Sequence, residues 1–112
     1  MNSNLFSNII ELDYNQLESE YNDLPNELPV SFFDKFYNLQ IIHIDKKVKD
    51  NCELIWFLNN LYSSKKAEES KNFKRIKFKG DYKNVFQSIE SILRSEISSK
   101  EDIGIYFQGK FN

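Results

Sequence analysis

Apolar positions along this chain change their period at several points, and each change marks the border of an element. The densest run is Leu39 to Ile44, where Leu39, Ile41, Ile42 and Ile44 crowd together as they do in a central strand with both faces covered. After the polar Asp45-Lys46-Lys47, either Asp50 or Asn51 can accept hydrogen bonds from the free amides of a first helical turn. Leu54, Ile55, Leu58, Leu61 and Tyr62 then recur every three or four positions. Trp56 and Phe57 widen that stripe, which predicts a helix buried over most of its girth. Ser63 to Asn72 is polar and unpatterned, the mark of a surface loop. Ile76 and Phe78 next alternate with Arg75, Lys77 and Lys79, predicting a strand with one wet face, and its lysines suit a guarded sheet edge. Gly80-Asp81 supplies a turn and a cap. Val85, Phe86, Ile89, Ile92, Leu93 and Ile97 predict the next helix, and Ile103, Ile105 and Phe107 alternate as a last strand.

Upstream of the central strand, Phe6, Ile10, Tyr14, Leu17 and Tyr21 fall at helical spacing, predicting an amphipathic helix from about Asn4 to Asn22 with Ser3 as its cap. Leu24-Pro25 ends it and Leu28-Pro29 marks a second turn, because the residue before a proline is pushed out of the helical region. Ser31 then caps a short helix carrying Phe32, Phe33, Phe36 and Tyr37. The expected architecture is a single α/β domain over residues 1–112. Residues 1–38 form an N-terminal helical pair, and 39–112 run strand, helix, strand, helix, strand. Right-handed crossovers predict a three-stranded, mainly parallel sheet of order 2-1-3. In that order the two crossover helices fall on opposite faces.

Composition changes this picture little, and charge placement changes it more. A chain of 112 residues can bury a core without disulfides or metal, and its lone cysteine, Cys52, favours a reducing compartment. The start MNSNLFSNIIELDYNQ lacks the cationic and apolar regions of a signal peptide, and no stretch is long enough to span a bilayer, so a cytoplasmic location is expected. The formal net charge of −2 hides a strong polarity. From Met1 to Gln40 seven acids face one lysine, whereas from Lys65 to Lys83 eight bases face three acids. Such separation steers partners of opposite sign, besides keeping a small protein solvated.

The side chains needed for most chemistries are missing. The only histidine, His43, sits between Ile42 and Ile44 and reads as a core residue, as does Cys52 near a helix start. One cysteine and one histidine cannot build a structural zinc site, and Gly80, Gly104 and Gly109 form no phosphate-cradling loop. With no nucleophile beside an evident base, neither a catalytic residue nor a cofactor is expected.

The stretch Asp50-Asn51-Cys52-Glu53-Leu54, following a strand and opening a helix, resembles in placement the Asp-Ser-Ser-Gly-Leu turn of anti-anti-sigma regulatory domains. The serine and the glycine are both replaced, so that family's phosphorylation switch does not carry over. In size, acidic character and the parallel sheet expected over Ile41 to Phe107, the chain is similar to barstar-like ribonuclease inhibitors, without a shared motif.

These readings converge on a non-enzymatic cytoplasmic interaction protein, an immunity or antitoxin-type inhibitor of a basic toxin such as a nuclease. Its expected binding residues are Asp13, Glu18, Glu20, Asp23 and Glu27. The alternative is a small regulatory or nucleic-acid-binding module. It would use Lys74, Arg75, Lys77, Lys79 and Lys83, with Phe73, Phe78 and Tyr82 as stacking rings.

Overall fold

A computed structural model describes residues 9–36, 38–63, 76–96 and 106–107. The first element is a strand where a helix is expected. Glu11 and Asp13 point to solvent with Leu12 half-buried between them, forming β1 (Glu11–Asp13). Asp13 holds an extended backbone, and its carboxylate accepts a hydrogen bond from the Gln16 amide at 3.1 Å, capping α1 (Tyr14–Glu20). The spacing of Ile10, Tyr14 and Leu17 is therefore accidental across the cap: Tyr14 and Leu17 are buried, whereas Ile10 is 50% exposed. The part of the expected helix before Ile9, with its Ser3 cap, lies outside the described residues.

The chain leaves α1 at Tyr21, and Leu24-Pro25 opens a helix instead of closing one. In α2 (Leu24–Glu27) the proline occupies the first turn, where its missing N–H removes no helical bond. A 3-10 turn (Val30–Lys35) follows Pro29 without a side-chain cap from Ser31, and it buries Phe32 and Phe33, with Phe36 just beyond. Tyr37 lies outside the described residues. Strand β2 (Ile41–His43) leads to α3 (Asn51–Ser63), which Asp50 caps by accepting from the Cys52 amide at 2.8 Å. Strand β3 (Lys77–Lys79) is followed by Gly80 at φ +94, a conformation open to glycine. A β-carbon there would sit 2.6 Å from the Ile44 carbonyl oxygen and 2.5 Å from Asp45 Oδ1. The chain then enters α4 (Phe86–Glu96) through a 3-10 turn (Lys83–Val85).

The three strands form a parallel sheet in chain order, β1-β2-β3, with Glu11, Ile41 and Lys77 in one row, then Leu12, Ile42 and Phe78, then Asp13, His43 and Lys79. Phe107 forms a parallel bridge with Phe78 on the side of β3 away from β2. This corrects the expected 2-1-3 order. The unforeseen β1 takes the free side of β2, and Phe107, from the expected last strand, lies beside β3. The cationic strand ends the three-stranded order, as expected of an edge, with one isolated bridge to Phe107 beyond it. The rest of that last strand, Ile103 and Ile105, lies outside the described residues, as does Ile97.

Sequential order has a second consequence. Right-handed crossovers between strands laid side by side in chain order carry every helix to the same face. Here α3 packs against α4, not on the opposite side of the sheet, while α2 and the first 3-10 turn pack against α3. Leu12, Ile42 and Phe78 face this helical layer. Ile42, Leu58, Ile89 and Leu93 share one core with Phe33, Phe36, Phe57 and Tyr14. Aromatic edges knit it together: Phe33 meets Phe57 at 5.2 Å and Trp56 at 5.6 Å, and Tyr14 meets Phe57 at 5.5 Å.

Two outcomes test this packing. Leu93→Ala should lose about 2 to 5 kcal/mol in chemical denaturation through lost burial and a residual cavity, and a loss under about 1 kcal/mol would contradict the core position of α4. The Tyr14 hydroxyl is buried with no hydrogen-bond partner among the described residues. Burial, reinforced by the negative charges of Glu18, Glu53 and Asp50, pushes its pKa far above the ordinary phenol value. The unfolded chain ionises this phenol near pH 10 while the folded one holds it neutral, so its contribution is complete below about pH 10 and is lost as pH rises beyond. Tyr14→Phe should flatten that alkaline fall in urea midpoints taken across pH 8 to 11 and leave neutral-pH stability within about 1 kcal/mol.

Candidate interaction surface

No described element covers the second face of the sheet. Its odd-numbered residues make two rows, Glu11, Ile41, Lys77 and Asp13, His43, Lys79, so charge passes from acidic on β1 to basic on β3 across a central isoleucine and histidine. His43 is thus not a core residue. Its side chain is 28% exposed, and its Nε2 lies 3.1 Å from Glu11 Oε2 across the β1-β2 pairing. Alternation explains the difference, because Ile42 and Ile44 turn inward and carry the residue between them outward. Cys52 is likewise exposed, on the first turn of α3.

The five acids expected to meet a partner divide on inspection. Asp13, Glu20 and Glu27 are exposed and Asp23 is half-buried, but Glu18 is only 4% exposed. Glu18 Oε2 accepts from the Lys49 amide at 2.8 Å and Oε1 accepts from Asn15 Nδ2 at 3.2 Å. Asn15 in turn takes the Asp45 and Lys46 amides on its Oδ1, at 2.8 and 3.0 Å, and donates from Nδ2 to the Lys46 carbonyl. One turn of α1 therefore clamps the loop that follows β2. Glu18 is a structural acceptor, occupied within the fold.

Glu11 is exposed beside Asp13 on β1. Its signal was readable: it alternates with Leu12 immediately before a capping aspartate. Asp23 and Glu27 hold each other's turn, with Glu27 Oε2 accepting from the Asp23 amide at 2.7 Å and Asp23 Oδ2 accepting from Asn26 at 2.6 Å. Both donors are neutral groups and bring no positive charge to either carboxylate. Among the described residues the ion pairs are His43 with Glu11 and Arg94 with Glu90; no lysine or arginine pairs with Asp13, Glu20, Asp23 or Glu27.

The basic set is dispersed. Lys77 and Lys79 share the open face and Lys83 is exposed beyond it, whereas Lys74, Arg75 and Phe73 lie outside the described residues. Phe78 and Tyr82 are buried at 0% and 2% exposure, so neither presents a ring to a base. Phe78 instead stacks on Phe107 at 5.8 Å.

At the carboxyl ends of β1 and β2, where open α/β sheets commonly bind ligands, a cleft of about 440 Å³ is lined by Asp13, Asn15, Glu18, Lys46, Lys47 and Lys49 among others. Its mixed charges favour no single ligand class. Among the described residues no group of three or more metal-ligating side chains could hold an ion, and no helix is long and apolar enough to cross a membrane.

Comparison with protein-family models, with curated proteins and with solved structures returns no match. What defines the chain is its own geometry, a three-stranded parallel α/β sheet with helices on one face and a charge-graded second face.

The clamp makes a direct prediction. Glu18→Ala should cost about 1 to 3 kcal/mol, since it strands a loop amide and opens space beside α1, while Glu20→Gln should stay within about 0.5 kcal/mol. Paired urea titrations decide it: equal effects would remove the distinction between the two acids.

Proposed function

We propose that the chain is a non-enzymatic inhibitor of immunity or antitoxin type, a cytoplasmic protein that binds a basic partner such as a nuclease toxin through the acidic side of its sheet. One observation carries the reading: the carboxylates of Asp13, Glu20, Asp23 and Glu27, on β1, α1 and around α2, lack cationic partners among the described residues, with Glu11 beside them. Uncompensated charge on one flank raises the encounter rate with a cation and repels other anions. The burial of Phe78 and Tyr82 withdraws two of the three rings expected to stack on single-stranded nucleic acid, which weighs against the nucleic-acid alternative.

The test begins with the partner that co-purifies at native levels, then follows its binding by stopped flow. Converting Asp13, Glu20, Asp23 and Glu27 to their amides keeps the α1 cap, since asparagine caps as well as aspartate. Association should slow by about tenfold or more at low salt with dissociation nearly unchanged, and the wild-type rate should fall steeply as salt rises. Lys77→Gln with Lys79→Gln is the matched control and should bind as wild type. An acidic variant that associates at the wild-type rate, beside a lysine variant that fails, would reject the inhibitor and favour nucleic acid.

A further inference from the structure

Strand β1 is the outer strand of the described sheet: β2 occupies one side of it, and no described element pairs with the other. The register determines what that edge offers. The Gln40 and Ile41 amides both donate to the Ile10 carbonyl, at 2.8 and 3.1 Å, so even-numbered residues of β1 turn their peptide groups toward β2. Glu11 and Asp13 consequently turn theirs outward. As the cap of α1, Asp13 commits its carbonyl to the helix, which leaves the N–H and C=O of Glu11 and the N–H of Asp13 for a neighbour.

Beside this edge, on the helical side, a cleft of about 210 Å³ opens between β1, α1 and the first 3-10 turn. Leu12, Leu17, Phe32 and Phe36 give it an apolar wall, and Glu20 stands among its lining residues. On the other side of the strand the Glu11 and Asp13 carboxylates lie on the open face. A strand laid against β1 would send alternate side chains to these two places, one set toward apolar carbon and the other toward carboxylates. The edge therefore matches an alternation of apolar and basic residues.

We propose that the edge of β1 with which no described element pairs receives an extended segment of a basic protein partner as an added strand, with its apolar side chains in the cleft and its lysines or arginines against Glu11 and Asp13. This deepens the inhibitor reading and rests on it. A second copy of the chain is disfavoured as the occupant, because edge-to-edge pairing would set Glu11 and Asp13 against themselves, and like charges opposed across strands are destabilising.

The probe is a short fluorescein-labelled peptide of alternating valine and lysine, titrated into the full chain by anisotropy while amide shifts are followed by NMR. Three matched peptides accompany it: one N-methylated on alternate amides, one with its lysines made contiguous, and one with glutamate for lysine. The parent peptide should bind and move amides at residues 9–20 and 32–36. N-methylation on the pairing side should weaken it about tenfold, the loss expected from one or two hydrogen bonds, and the glutamate peptide should not bind. Glu11→Gln, an exposed change that leaves the backbone intact, should weaken the parent peptide and reduce its salt dependence.

An N-methylated or contiguous-lysine peptide that binds as tightly as the parent would overturn strand addition, as would shifts confined to other residues or no binding at millimolar peptide. Sedimentation of the chain alone covers the remaining occupant: a dimer that the peptide dissociates would assign the edge to a second copy and end the proposal. The two readings fail separately. If the acidic variant still slows the captured partner while N-methylation has no effect, strand addition falls and steering stands. If the acidic variant leaves association unchanged, the inhibitor reading falls whatever the peptide does.

Discussion

Parallel pairing in chain order is the constraint on which the rest of this molecule depends. Each crossover from β1 to β2 and from β2 to β3 must turn the same way, so the described helices accumulate on one face and leave the second face of the sheet uncovered by any described element. Residue parity then assigns roles. Leu12, Ile42 and Phe78 enter the core, and Glu11, Asp13, Ile41, His43, Lys77 and Lys79 look away from it. The strands are only three residues each, so the aromatic layer above them, centred on Phe33, Phe57 and Tyr14, supplies much of the burial that holds the sheet.

The same geometry explains why a polar clamp sits where it does. A parallel strand must be left by a loop at its carboxyl end, and the loop after β2 exposes backbone amides close to the start of α1. Asn15 and Glu18 satisfy the amides of Asp45, Lys46 and Lys49 from one helical turn. Gly80 lets the turn after β3 approach the Ile44 carbonyl and Asp45 in the same region. Polar residues at this end of the sheet are thus held by structure.

Much of this was legible in the residues, and the failures have specific causes. The apolar density of Leu39 to Ile44 located β2, the three-and-four spacing of Leu54 to Tyr62 located α3, and the stripe from Val85 to Leu93 located α4. Strand β1 was hidden because Ile10 falls four residues before Tyr14 and so mimics a helical stripe, whereas the Asp13 cap between them starts the helix afresh. Missing one strand then misplaced the last one, since β2 seemed to need a second neighbour from later in the chain, whereas its pairing with β3 is as expected. Among the acids, charge counting could not separate the exposed Asp13, Glu20 and Glu27 from Glu18, whose burial depends on a loop contact 31 residues away. His43 was misjudged because a histidine between isoleucines reads as core unless the strand's parity is known.

Because the strands lie in chain order, one face of the sheet is left uncovered by the described helices, and thiol accessibility measures this most directly. In a Cys52→Ser background, single cysteines would be placed at Ile41, Lys77 and Leu12, Ile42, and their reaction with a water-soluble thiol reagent timed under native conditions. Rapid labelling is expected at 77, intermediate rates at 41 and 12, and strong protection at 42, in step with the burial of the native side chains. Protection at 41 equal to that at 42 would mean that helices cover both faces, as in a 2-1-3 sheet, and would contradict the account.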